Sequence, residues 1–316
     1  MSVAMKKVMA LFSVLTLAAL LGVVQGAYLP LGQWLYEHAT DWEASLYGFE
    51  QQQVDIGDMQ LALYRNHNPG KPVIVMLHGY SADKDVWPRF ARHLTDDYQI
   101  LIPDMAGHGD TEFRMDWDYG MVAQAQRLSR LLTALEIEQA HIIGNSMGGY
   151  LTAIFSLYHP QQTLSATMVD PAGLTSPKAS DLEKMLAEGR NPFLINNRQE
   201  FDEFYAMTMA KPPFLPDMVL EAVAHEYMNR REELAKIFAD FNRGIGLQQK
   251  LPQLQAPAML WWGTEDRLLH VSAVETWRQA LPDMQVHIWQ DIGHMPMVEV
   301  PRQAAERYQA FLTALE

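Results

Sequence analysis

Ile142-Ile143-Gly144-Asn145-Ser146-Met147-Gly148-Gly149 is the stretch on which the reading of this chain turns. It predicts a buried strand that breaks sharply into a helix, with one serine at the break. A serine in such a strand-to-helix elbow adopts a strained backbone that lifts its hydroxyl above the sheet. The turn closes only if the residues two positions either side are minimal. Gly144 and Gly148 meet that need, and residues 149–158 (GYLTAIFSLY) are apolar and helix-compatible. The Met147 N–H is therefore expected at a helix N-terminus, where developing negative charge is stabilised. A chance Gly-x-Ser-x-Gly is the bland alternative, so the surrounding chain has to decide.

Outward from the elbow, apolar runs and helical patterns alternate. Residues 73–77, 100–104 and 166–170 read as buried strands, and with the run into Ser146 they make four parallel strands. An antiparallel hairpin precedes them, with Val54 and Ile56 on one arm, Leu61, Leu63 and Tyr64 on the other, and Gly57-Asp58 between. Helices are expected over residues 85–94 and along the stripe Val122, Leu128, Leu131, Leu132 and Leu135. Only helical segments follow Thr175, near 181–188, 198–209, 216–227 and 231–241. Strands resume at 258–263 and 286–289, with helices near 272–280 and 301–315. Strands alternating with helices imply an α/β fold with a mostly parallel sheet covered on both faces. Residues 49–174 and 255–316 form its core. Residues 175–254 are a helical lid inserted between strands, over the strand C-terminal ends where open α/β sheets bind ligands.

The chain has 316 residues, 48% of them hydrophobic, enough for a sizeable core. Its 38 acidic against 24 basic residues leave a formal charge of −14, which repels nucleic acid and disfavours strong binding to anionic membranes. No cysteine is present, so disulfides, thiolate catalysis and Cys-ligated metals are excluded. Lys6 and Lys7 precede an apolar run from Val8 to Val24, whose about 17 residues fall slightly short of a ~30 Å hydrocarbon core unless residues 27–29 extend it. Residues 1–27 thus read as a signal anchor with its N-terminus in the cytoplasm, or as a signal peptide cleaved after the small residues near Gly26; the anchor is preferred. Either way the folded part is exported, anchored to the inner membrane facing the periplasm or secreted. Residues 28–48 read as a juxtamembrane amphipathic helix, with Leu31, Trp34, Leu35, His38, Trp42 and Leu46 at helical spacing; it lies on the bilayer or packs on the domain.

A serine hydroxyl becomes a nucleophile only when a base takes its proton, and that base needs an acid to fix its tautomer. The strand at 258–263 runs into Thr264-Glu265-Asp266-Arg267, and the strand at 286–289 into Asp291-Ile292-Gly293-His294. Both loops leave the C-terminal edge of the sheet. Asp266 is the preferred acid, with Glu265 and Asp170 as rivals. His294 is the preferred base, since it alone follows the last strand after a glycine. His78 reads as a loop-fixing group, His108 and His270 as turn residues, and Asp104 as the anchor of the loop after it. A second oxyanion donor is expected from His78-Gly79-Tyr80-Ser81, through the Tyr80 N–H. A two-histidine or carboxylate metal site is conceivable, but no HExxH or comparable ligand spacing occurs, and a serine mechanism of this kind is expected to need neither a metal nor an organic cofactor.

HGYSADKDVW (78–87), PDMAGHGDT (103–111), GNSMGG (144–149), WWGTEDRLL (261–269) and DIGHMPMVEVP (291–301) occur in that order. Together they resemble the lid-bearing α/β-hydrolases, most closely the membrane-anchored monoacylglycerol lipase group and related bacterial lipases and esterases. The resemblance covers nearly the whole chain except the lid, where no motif is recognised. It implies a Ser146, Asp266 and His294 triad, an oxyanion hole of Tyr80 and Met147, and a serine hydrolase acting on carboxylic esters of acyl lipids. Met185, Met207, Met209, Met218 and Met228 beside Phe193, Phe201, Phe204, Tyr205 and Phe214 suit an adaptable acyl channel or simply the lid's own core. Two alternatives are kept. GNSMGG also resembles hydrolases that cleave carbon–carbon bonds of ring-fission products, although those carry HGxGPG where this chain has HGYSAD. A non-catalytic ligand-binding protein could share the fold. Dehalogenases and epoxide hydrolases of this fold carry Asp at the elbow, against which Ser146 speaks.

Overall fold

The computed structural model describes residues 28–315, so the leader or anchor expected over residues 1–27 lies outside the described residues. A helix, α1, runs over residues 28–46. The hairpin of β1 (Phe49–Asp55) and β2 (Gln60–Asn66) follows, then β3 (Val73–Leu77), α2 (Pro88–Ala91), β4 (Gln99–Pro103), α3 (Met121–Ala134), β5 (Ala140–Asn145), α4 (Met147–Tyr158) and β6 (Thr163–Val169). Five helices are inserted next: α5 (Asp181–Ala187), α6 (Arg198–Thr208), α7 (Asp217–Asn229), α8 (Arg231–Phe241) and α9 (Leu247–Lys250). β7 (Ala258–Gly263), α10 (Ala273–Ala280), β8 (Gln285–Trp289), α11 (Pro296–Glu299) and α12 (Pro301–Thr313) close the chain.

The eight strands form one sheet in the order β1-β2-β4-β3-β5-β6-β7-β8. β2 pairs antiparallel with β1 and β4, and the other pairings are parallel. Successive strand residues point to opposite faces, so each apolar run supplies two cores. Val75, Leu77, Leu101, Ile142, Leu260 and Trp262 join the side chains of α3, α4 and α10. Ile74, Met76, Ile100, Ile143, Met259 and Trp261 pack on the other face with Phe90 of α2, Met297 of α11 and Tyr308 of α12. Burial on both faces is why these strands read as continuous apolar stretches.

One local departure from the sequence reading has a physical cause. The helix expected over 85–94 is a 3-10 turn, Lys84–Val86, capped by the Asp83 carboxylate on the Asp85 N–H, followed separately by α2. Pro88 has no N–H with which to continue the first turn and instead begins the second. In α1, for which the sequence left two placements open, the apolar stripe faces out: Leu31, Trp34, Trp42 and Leu46 are exposed. Its inner face carries small and polar groups. A Cβ on Gly32 would lie 2.0 Å from the Met218 carbonyl oxygen of α7. Tyr28 Oη donates to Asp217 Oδ2 at 2.8 Å and Tyr36 Oη to Asp83 Oδ2 at 3.2 Å. Among the described residues no helix is long and apolar enough to cross a membrane.

Candidate active site

β5 ends at Asn145 and α4 begins at Met147, leaving Ser146 alone at the break with φ 58° and ψ −115°. This is a costly conformation for a residue with a Cβ. It is held from three sides: Ser146 N donates to the Val169 oxygen at 2.9 Å, and the Ser146 oxygen accepts from Tyr150 N and Ala172 N, each at 3.0 Å. The flanking glycines are required by contact. A Cβ on Gly144 would lie 2.2 Å from the Gly148 oxygen, and one on Gly148 would lie 2.3 Å from the Leu77 oxygen. Both distances are far inside van der Waals contact, and the atoms met are backbone atoms that cannot yield.

Asp266 follows β7 and His294 follows β8, and both are buried. His294 Nδ1 lies 2.7 Å from Asp266 Oδ2. An ionised carboxylate only accepts, so Nδ1 carries the proton and Nε2 presents a lone pair. Asp266 Oδ1 accepts from Leu268 N at 2.8 Å and Leu269 N at 2.9 Å, which fixes the carboxylate plane. His294 is held through its main chain, its N donating to the Thr208 oxygen at 3.2 Å and its oxygen accepting from Asn145 Nδ2 at 2.8 Å. The His294 loop is thereby tied to the residue before Ser146. The Ser146 hydroxyl makes no hydrogen bond among the described residues, so the serine is joined to the Asp266–His294 pair through the Asn145 bridge.

The rival acids are placed differently. Glu265 is exposed. Asp170 is fully buried at the end of β6, where its Oδ1 accepts from Gly263 N at 2.8 Å. Asp170, Asp266 and His294 each bring a donor atom within 4.8 Å of the others, a spacing that a metal ion could use. Here the His294 Nδ1 and both Asp266 oxygens are already committed to one another or to backbone N–H groups.

The loop after β3 packs over the serine: a Cβ on Gly79 would lie 3.3 Å from Ser146 Cβ. His78 ties this loop to the next, since Nε2 accepts from Met105 N at 2.9 Å and Nδ1 donates to the Gly79 oxygen at 2.8 Å. Burial lowers the His78 pKa to about 4, so it stays neutral near pH 7. Burial and then the neighbouring His78 hold His108 well below the usual histidine range. Asp104 accepts from Lys84 N at 2.7 Å and Asp110 N at 2.9 Å, pinning the two loops together. The Tyr80 N–H donates to no group among the described residues, while its hydroxyl donates to the Leu234 oxygen at 2.7 Å. The Tyr80 ring packs with Phe193, Phe238 and Phe241 of the helical insertion. Met147 is the first residue of α4, so its N–H has no acceptor within the helix.

Two groups that hold this arrangement gave little sign of it in the sequence. Asn145 occupies an unspecified position of the elbow motif, and its role comes from its bonds to the Val169 and His294 oxygens. Glu299 of α11 accepts from Gly293 N at 2.8 Å and Lys211 N at 2.7 Å, tying the His294 loop to the insertion. Its spacing from His294 carries no known signal.

A family model described as alpha/beta hydrolase fold matches residues 72–301. The chain is 34% identical to Lipase 1 of Psychrobacter immobilis over 82% of each chain. It is 26% identical to the monoacylglycerol lipase ABHD6 of Mus musculus, over 87% of this chain and 85% of that one. Among solved structures it is similar to a membrane phospholipase A described as a bacterial virulence factor, at 32% identity and a TM-score of 0.88, over 96% of this chain and 98% of that one. Matched over most of its length by the family model, this chain belongs to the alpha/beta hydrolase fold family.

Proposed function

We propose that this protein is a serine hydrolase that cleaves carboxylic esters of acyl lipids, with Ser146 as nucleophile, His294 as general base and Asp266 as its orienting acid. The observation that carries the reading is the 2.7 Å bond from His294 Nδ1 to Asp266 Oδ2, beside a serine at φ 58°. Asp266 holds the imidazole in the tautomer whose Nε2 can take the Ser146 proton as the hydroxyl attacks the ester carbonyl. The resulting oxyanion is received by the N–H groups of Met147 and Tyr80, each worth about 3 kcal/mol in the transition state. His294 then returns the proton to the departing alcohol. Water, activated by the same histidine, releases the fatty acid from Ser146.

The acyl-lipid assignment is supported by the names of the relatives, two lipases and a phospholipase A, and by the apolar character of the insertion. Phe193, Phe204, Met185 and Met207 are buried there, and Phe193 packs on both Tyr80 and Phe204. A membrane tether belongs to the same reading. Leu31, Trp34, Trp42 and Leu46 turn away from the domain on a helix that directly follows the apolar Val8–Val24 run. An outward apolar stripe suits the interfacial region of a bilayer.

Incubation with p-nitrophenyl butyrate and a fluorophosphonate probe, beside Ser146→Ala, tests the chemistry. The parent is expected to turn over and be labelled and the variant to do neither; a silent, unlabelled parent ends the enzyme reading. A series of monoacylglycerols of increasing acyl length tests the substrate class. For the tether, full-length chain in the membrane fraction with an uncleaved mass is expected, and a soluble processed species would overturn it.

A further inference from the structure

The mechanism above leaves one titratable group unused in the middle of its machinery. Asp170 is fully buried at the end of β6 and sits at φ 44°, a conformation its side chain disfavours. Its main chain is fixed by a 2.9 Å bond from its N–H to the Trp261 oxygen. Its Oδ1 accepts from Gly263 N, but its Oδ2 is buried with no donor. Within 4.8 Å stand an oxygen of Asp266 and a ring nitrogen of His294.

The charged and titratable groups facing it are Asp266 from the loop after β7, His294 from the loop after β8, and Glu299 from α11. No lysine or arginine pairs with Asp170 or Asp266 among the described residues. Arg267, next in sequence, is turned away to Asp181 Oδ2 at 2.8 Å. Two carboxylates this close, buried and without a cation, cannot both keep a charge. Asp266 accepts three N–H bonds, from Leu268, Leu269 and His294, whereas Asp170 accepts one. The shared proton therefore belongs on Asp170. Burial, and then the charge of Asp266, push the Asp170 carboxyl well above the usual range in agreement with this.

As an ionised group Asp170 has an orphaned buried oxygen, which is expensive. As an acid, the same oxygen becomes a donor. Asp266 Oδ1 already receives two N–H bonds and Oδ2 only one, so Oδ2 has the open lone pair. We propose that Asp170 is a positioning residue that stands as a neutral carboxylic acid and donates its O–H to Asp266, keeping the Asp266 carboxylate turned toward His294 Nδ1. This rests on the assignment of Asp266 and His294 as acid and base.

The test compares the parent with Asp170→Asn and Asp170→Ala in kcat, KM, the pH profile of kcat/KM and fluorophosphonate labelling, with melting temperatures as a check on folding. Asparagine keeps both an acceptor for Gly263 N and a donor for Asp266; alanine keeps neither. Asp170→Ala is expected to lose about 10-fold or more in kcat with KM little changed. Its acid limb should move to higher pH, because an Asp266 deprived of a donor stabilises the imidazolium more strongly. Asp170→Asn is expected to recover to within about 5-fold of the parent, with its acid limb in place. An acid limb displaced downward by about half a pH unit or more in Asp170→Asn would mean that a negative charge had been removed, and the proposal fails. It fails equally if Asp170→Ala folds and keeps the parent's rate and profile. If Asp170→Ala does not fold, the acid limb of Asp170→Asn decides alone. A parent that is neither labelled nor active would instead strike the triad assignment itself.

Discussion

Asn145 Nδ2 donates to the main-chain oxygen of His294 across 2.8 Å, joining the residue before the elbow serine to the loop after the last strand. The same amide donates to the Val169 oxygen at 3.2 Å, so one buried side chain spans three strand ends. Asn145→Ala leaves the buried His294 oxygen without its donor, while the Val169 oxygen keeps the bond from Ser146 N. It is expected to cost about 1–3 kcal/mol of stability and, by letting the base loop drift, to lower kcat about 10-fold with a smaller change in KM. Thermal unfolding and ester kinetics on the same preparation check both.

Asp266→Asn preserves shape but not the electrostatic match. The amide offers an N–H to His294 Nδ1, which drives the imidazole toward the tautomer that carries its proton on Nε2 and cannot act as base. The expected loss in kcat is about 100-fold or more, with fluorophosphonate labelling slowed in parallel. Replacing the exposed Glu265 by Gln is expected to leave the rate near that of the parent. Equal losses in the two variants would contradict the placement of the acid.

Gly148→Ala tests the elbow by contact alone. The added methyl would meet the Leu77 oxygen at 2.3 Å and the His78 oxygen at 2.5 Å, so α4 or the loop after β3 must move. A destabilisation of about 2 kcal/mol or more is expected, together with loss of labelling at Ser146. A variant with the melting temperature and labelling rate of the parent would show that the backbone can absorb the methyl.

The acidic cluster beneath α1 sets a pH dependence of stability. Burial, then the Asp83 charge, raise the Asp85 pKa from 3.8 to about 7, against the lowering effect of Lys84. An acid with a raised folded pKa contributes stability that is complete below its unfolded value and is lost as pH rises through the folded one. The cost of ionising Asp85 therefore accumulates between about pH 4 and 7 and is full above that. Asp85→Asn removes it while keeping an acceptor for Tyr64 Oη, now 2.8 Å from Asp85 Oδ1. The melting temperature of the variant relative to the parent should rise from pH 5 to pH 8. A constant difference across that range would mean that Asp85 does not titrate there.

Some of this protein could be read without coordinates because short-range physics forces it. Gly144, Ser146 and Gly148 announce a turn that only minimal flanking residues permit, and the contacts at both glycines show why. The buried strands were legible because both faces of a parallel sheet are covered, which makes 73–77 and 258–263 uniformly apolar. Legibility failed where one residue interrupts a pattern: Pro88 divides what periodicity presents as a single helix over 85–94.

The linear order therefore determined the elbow, the alternation of strands and helices, and the loops from which an acid and a base could come, since each depends on residues a few positions apart. Which carboxylate meets His294 was decided only by tertiary structure. Asp170, Glu265 and Asp266 are chemically alike in a sequence; Asp170 is set apart by where β6 ends relative to β7 and β8, and of the two residues after β7, Glu265 is exposed and Asp266 buried. The outward stripe of α1 is of the same kind. Its spacing announces an amphipathic helix, but only the fit of Gly32 against Met218 and of Tyr36 against Asp83 settles which side faces the domain.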